Sequence, residues 1–171
     1  MNAAALTDRL EAFGAALPGV LAAVPREDAR WKPPSGAWSI LEIINHLADE
    51  ETRDFRARVS LTLGDPTAPW PSIEPERWAR EERYNERELT GSLARFSAER
   101  RESIRWLRSL EAADWTRAHL HPTAGPLTAG MLLGAWAAHD ALHLRQIAKR
   151  LYELAQRDSG QSVGYAGPWG P

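Results

Sequence analysis

Trp136-Ala137-Ala138-His139-Asp140-Ala141-Leu142-His143-Leu144-Arg145-Gln146-Ile147 is the stretch of this 171-residue chain that says most about its fold. At about 100° per residue, His139 and His143 lie about 40° apart on a helix, so both rings can reach one point. Leu132, Trp136 and Ile147 share that face, while Arg145 and Lys149 fall elsewhere. The two imidazoles are therefore predicted to face the interior of a helical bundle. Adjacent buried imidazoles are costly unless their nitrogens are satisfied. A divalent cation does this with neutral imidazole ligands. A hydrogen-bonded histidine pair is the plainer alternative.

Working outward, Thr128 can cap this helix, which is expected to reach about Gln156. Upstream, Ser39-Ile40-Leu41-Glu42 has the form of a capping box. A helix should run from there to about Leu63, with Ile40, Ile43, Ile44, Leu47 and Phe55 on one side, and stop at Gly64-Asp65-Pro66. An earlier stripe, Leu6, Leu10, Phe13, Leu17, Leu21 and Val24, predicts another helix, kinked or broken at Pro18-Gly19. A further helix is expected from Arg83 to Leu110. Residues 64–80, rich in proline and carrying Trp70 and Trp78, read as a loop packed on the bundle. Residues 116–126, with His119 and His121, read as a second loop whose histidines are solvated. No alternating strand pattern stands out. The expected fold is all-α: one four-helix-bundle domain over 1–171, with the 158–171 tail docking through its aromatics.

Composition narrows the chemistry. With no cysteine, disulfides, thiolate metal sites and cysteine nucleophiles are excluded, and a cytoplasmic location fits. Net charge is −2, and the arginines alternate with acids, as in Arg80-Glu81-Glu82-Arg83. That interleaving predicts solvated helix surfaces laced with ion pairs, not a nucleic-acid footprint. The apolar run at the N-terminus is broken by Asp8, Arg9 and Glu11, unlike a signal peptide, and no stretch is long enough to cross a bilayer.

His46 strengthens the metal reading. It lies mid-helix, on the flank of the Ile40, Ile43 and Leu47 stripe. Three histidines from two helices match a catalytic metal site with three protein ligands and open positions. Glu50, one turn beyond, is a candidate fourth ligand, hydrogen-bond partner of a ligand, or catalytic base; alternatively it is a surface carboxylate paired with Arg53. His139-Asp140-Ala141-Leu142-His143 also approaches the H-E-x-x-H of zinc proteases, but Asp140 is a methylene shorter and His46 lies upstream. Asp140 is better read as supporting the ligands from behind, or as a helix-surface residue.

These segments together resemble the DinB-like (DinB/YfiT) family of metal-dependent bundle proteins. The resemblance rests on Trp38-Ser39 ahead of His46-Leu47-Ala48-Asp49-Glu50-Glu51, on Tyr84-Asn85, on the 136–147 stretch, and on the Tyr165-Ala166-Gly167-Pro168-Trp169 tail. It implies an up-down-down-up bundle with a long crossover between the second and third helices. It also implies one zinc or nickel ion on His46, His139 and His143, in a family where homodimers are frequent. Some relatives are thiol-dependent transferases or isomerases that use low-molecular-weight thiols. The expected function is thus a metal-dependent enzyme that activates a thiol or water against a small-molecule substrate, without nucleic-acid or membrane partners. The alternative is a non-catalytic bundle that binds a metal or small ligand.

Overall fold

The computed structural model describes residues 1–167 and Trp169. In chain order the helices are α1 (Ala3–Leu21), α2 (Arg26–Arg30), α3 (Ile40–Asp49), α4 (Arg56–Gly64), α5 (Pro75–Glu81), α6 (Leu89–Ser109) and α7 (Ala129–Ser159). A π-helical segment, Glu50–Phe55, joins α3 to α4 without a break. Ser39 starts α3 as the sequence predicts. Its Oγ accepts the Glu42 amide at 3.1 Å, and the Glu42 carboxylate accepts the Ser39 amide at 2.8 Å. Thr128 likewise caps α7 by accepting the Met131 amide. Gly160, with φ of 59°, ends α7 in the left-handed conformation that glycine adopts without a Cβ clash.

The bundle consists of α1, the continuous α3–α4 helix, α6 and α7. Both α1 and α3 pack against α6 and α7. One apolar cluster centres on Leu21, Ile40, Ile44, Leu47, Phe96 and Ile147, and a second on Leu10, Phe55, Leu133 and Trp136. The core thus collects the stripes anticipated from sequence.

Several boundaries differ from expectation. The third long helix begins at Leu89, not Arg83, because Arg83 takes φ of 52° and turns Tyr84 inward; a 3-10 turn, Tyr84–Glu86, follows. Tyr84 is fully buried and donates its hydroxyl to Asp49. The proline-rich stretch does include a helix, α5, whose first residue is Pro75, where a missing amide costs nothing. In α1 the helix runs through Pro18 to Leu21 unbroken. Two short strands, β1 (Ala118–His121) and β2 (Gly125–Thr128), form an antiparallel hairpin where a loop was expected. Four-residue strands are too short to show an alternation in sequence. His119 and His121 are half-buried instead of solvated. The His119 ring stacks on Trp70 at 4.2 Å and its Nδ1 lies 2.9 Å from the Pro66 carbonyl.

In the tail, Tyr165 is fully exposed, whereas the Trp169 ring lies 5.4 Å from Tyr152. Pro168, Gly170 and Pro171, part of the segment expected to dock, lie outside the described residues. Among the described residues no helix is long and apolar enough to cross a membrane.

Not all arginines belong to a solvated surface. Arg100 of α6 is buried and makes a two-pronged contact with Asp140 at 2.6 and 2.9 Å. It also donates to Glu51 at 2.9 Å and to the Leu10 carbonyl at 2.8 Å, while Trp136 Nε1 donates to the same Glu51 oxygen. One guanidinium therefore ties α1, the π-helical segment and α7 together directly behind His139. Gly14 leaves room for it: a Cβ there would stand 2.7 Å from Arg100 Cγ.

Candidate metal centre

His46 comes from α3, and His139 and His143 from α7. The face-sharing of the latter pair and the inward register of His46 bring three Nε2 atoms together. His139 Nε2 lies 3.0 Å from His143 Nε2 and 3.4 Å from His46 Nε2. One nitrogen of each ring falls within a 4.8 Å cluster. A hydrogen-bonded pair does not account for this, since His139 Nε2 can serve one neighbour and leaves the other without a partner. A divalent ion fits both separations from His139. Metal–nitrogen bonds near 2.0–2.1 Å, opened between a right angle and the tetrahedral angle, place two ligand nitrogens about 2.9–3.4 Å apart.

The outer nitrogens are held unequally. His143 Nδ1 lies 2.9 Å from Gln146 Oε1, which orients that ring for Nε2 coordination. His46 Nδ1 is 3.5 Å from Glu50 Oε1. His139 Nδ1 is buried without a hydrogen bond among the described residues, its ring set edge-on against Phe55. Trp38 covers His46 at 4.8 Å between centroids.

The three side chains border a cavity of about 750 Å³. Its walls include Trp38, Ile43, Phe55 and Ile73, with Glu50 and Asp54 on the π-helical segment. The wider π turn puts Glu50, Asp54 and Phe55 on the cavity while Glu51 turns to Arg100. π-helical turns recur at functional sites. Glu50 is buried, not a surface carboxylate, and Arg53 pairs instead with Asp49 and Glu82. Asp140 is engaged by Arg100, so it is not placed as the base of a zinc protease. Lys149, expected to point away, lines the cavity.

Electrostatics favour neutral ligands. Burial, then the neighbouring imidazole charges, lowers the His46 pKa to about 2. Burial chiefly lowers His139 to about 3, and His143 is lowered by the same cause. Burial and the adjacent Asp54 raise the Glu50 pKa to about 9. A positive charge at the three nitrogens opposes that rise.

A stability maximum follows for the metal-free protein. Below the ordinary histidine value near 6.5, the unfolded chain takes up protons that the folded histidines refuse, so stability falls as pH drops from 6.5 toward 3. Glu50 acts oppositely: the folded carboxyl keeps its proton up to about 9, so stability falls as pH rises from about 4.5 to 9. Chelator-treated protein is expected to melt highest at about pH 6–7. Replacing the three histidines with leucine should flatten the acid limb in a thermal-melt series; an unchanged limb would contradict the assignment.

Comparison with known proteins decides the lineage. The DinB superfamily model matches residues 9–147, most of the chain and all three histidines. The chain belongs to the DinB superfamily. A curated relative from Oceanobacillus iheyensis, named "Putative metal-dependent hydrolase OB0782", is 32% identical over 114 residues, 66% of this chain. The match spans 64% of that relative's length. Among solved structures, YfiT from Bacillus subtilis superposes with a TM-score of 0.78 at 22% identity, covering 94% of this chain and 89% of that one. It is described as "a probable metal-dependent hydrolase with an unusual four-helix bundle topology". At that identity the likeness establishes the four-helix-bundle fold of this DinB chain.

Proposed function

We propose that this DinB protein is a metal-dependent enzyme in which His46, His139 and His143 hold one zinc or nickel ion. The observation that carries the proposal is the convergence of three Nε2 atoms, 3.0 and 3.4 Å apart, beside a cavity. A divalent ion bound there supplies Lewis-acid activation of a water or thiol at neutral pH. Three protein ligands leave coordination positions for exogenous groups, the arrangement of catalytic rather than structural sites. Neutral imidazoles leave the ion's charge undiminished, unlike a carboxylate or thiolate set.

The chain's own residues divide the remaining work. Gln146 orients His143, Trp38 packs on the His46 ring and Phe55 sets its edge against the His139 ring. Glu50 stands beside His46 with Oε1 buried and without a hydrogen bond. It is the group that takes a proton from the attacking water or thiol and returns it to the leaving group. Asp140 acts through Arg100 and the α7 backbone, fixing the helix that carries two ligands.

The test is a panel of chromogenic esters and amides, alongside electrophile conjugation with a small thiol added. Turnover should disappear with chelator and return with zinc or nickel. Glu50→Gln should keep the metal and lose turnover by about 10²-fold or more. Metal bound at one equivalent with no turnover across the panel would favour the non-catalytic, ligand-binding reading. Turnover that survives in metal-free protein would refute the proposal.

A further inference from the structure

Arg150 lies seven residues beyond His143 on α7 and so returns to nearly the same helical face. It is only 5% exposed, yet it lines the cavity that borders the histidines. Its Nε and Nη1 make no hydrogen bond among the described residues. A Glu153 carboxylate oxygen lies 2.9 Å from Nη1, but on a poor bonding line. A buried guanidinium with unused donors is costly unless something accepts from it. Beside it, Lys149 also lines the cavity, is exposed, and forms no ion pair or hydrogen bond among the described residues. Other cations near the site are engaged more fully: Arg53 by Asp49 and Glu82, Lys32 by Glu42, and Arg58 by the Pro71 carbonyl and the Trp70 ring as well as Asp54.

The placement also sets a length. Two helical turns separate Arg150 from His143, about 10 Å along the axis. Helical side chains lean toward the N-terminus, and His143 and Arg150 share that lean, so the axial separation carries over to the side chains. Trp38, Ile43 and Ile73 supply apolar lining to the same cavity.

We propose that Arg150 and Lys149 form a carboxylate-binding subsite, and that the ligand of this cavity is an organic anion. Its apolar body lies on Trp38, Ile43 and Ile73, and its carboxylate sits up to about 10 Å from the group presented to the histidines. Arginine's planar fork suits a carboxylate, and lysine adds the net positive charge that Glu153 removes from Arg150. This names the substrate class of the enzyme proposed above and rests on that reading for its catalytic meaning, although the subsite itself needs no metal.

The test is calorimetric titration of the chelator-treated full chain with 4-phenylbutyrate and its neutral counterpart 4-phenylbutanamide. Without metal, a carboxylate cannot gain affinity by coordination. The carboxylate is expected to bind about tenfold tighter than the amide. In Arg150→Gln/Lys149→Ala the preference should vanish while amide binding persists. Lys149 is exposed, so Lys149→Ala serves if the double variant does not fold, and it should cut the preference about threefold. Equal binding of the two probes by the wild type, or an undiminished preference in Lys149→Ala, would overturn the proposal. Because the readout is binding without metal, a failed turnover screen leaves it standing, and its own failure leaves the metal site standing.

Discussion

Replacing Arg100 with leucine is expected to destabilise the fold by about 3–5 kcal/mol, the scale for removing one partner of a buried ion pair. The cause is what remains behind. Glu51 and Asp140 are buried, and their charges are compensated by this one guanidinium. Burial already raises the Asp140 pKa to about 6 against the opposing pull of Arg100, so the desolvation cost is only partly offset even with the partner present. The Leu10 carbonyl and one Glu51 oxygen also lose donors. Denaturant unfolding of Arg100→Leu, Asp140→Asn and the double variant measures the coupling. The double variant should lose less than the sum of the singles. A loss below about 1 kcal/mol in Arg100→Leu would show that the network contributes no more than a surface pair. The consequence reaches the site, because Asp140 adjoins His139 and α7 carries two of the three histidines.

Adding metal should stabilise the wild type strongly and the histidine variants hardly at all. An ion that binds only the folded protein adds about 4 kcal/mol to the unfolding free energy at a thousandfold excess over Kd. The lowered pKa values of His46 and His139 reinforce this, since protons do not compete for folded ligands at neutral pH. In His46→Ala, two ligands remain on α7 and none on α3, so the ion no longer bridges the helices. Zinc or nickel should raise the melting temperature of the wild type by many degrees and that of His46→Ala by little. An equal shift in both would place the ion elsewhere.

Much of this was legible in the residues, and the limits have physical causes. The capping box at Ser39 and the apolar stripes are local signals, and they located the starts of α3 and α7 and the end of α6 to within a turn, but set the start of α6 six residues too early. The i, i+4 histidines were legible because helical geometry alone puts them side by side. His46 joined them only through the tertiary packing of α3 on α7, for which the sequence offered a flank position and a family resemblance. The π-helical segment left no periodic signature, so the sequence left Glu50 open between a role beside His46 and a surface pair with Arg53, and the burial of Glu51 on Arg100 was not readable. Arg100 and Arg150 look like the other arginines of a polar helix; only long-range partners distinguish them. Lys149 was misplaced because its angle describes the Cα, whereas a long side chain can reach round the helix to the cavity. The hairpin at 118–128 was missed because its strands are held by pairing and by Trp70 on His119, neither of which is local.

The most direct test is metal content per chain, measured by elemental analysis of untagged protein purified without chelator, for the wild type and for His139→Ala. His139 is the decisive residue because its Nε2 approaches both other ring nitrogens. The expected result is about one equivalent of zinc or nickel in the wild type and less than about a tenth of that in the variant. No metal in the wild type after zinc and nickel are added back, or the same content in both proteins, would contradict a metal centre at His46, His139 and His143.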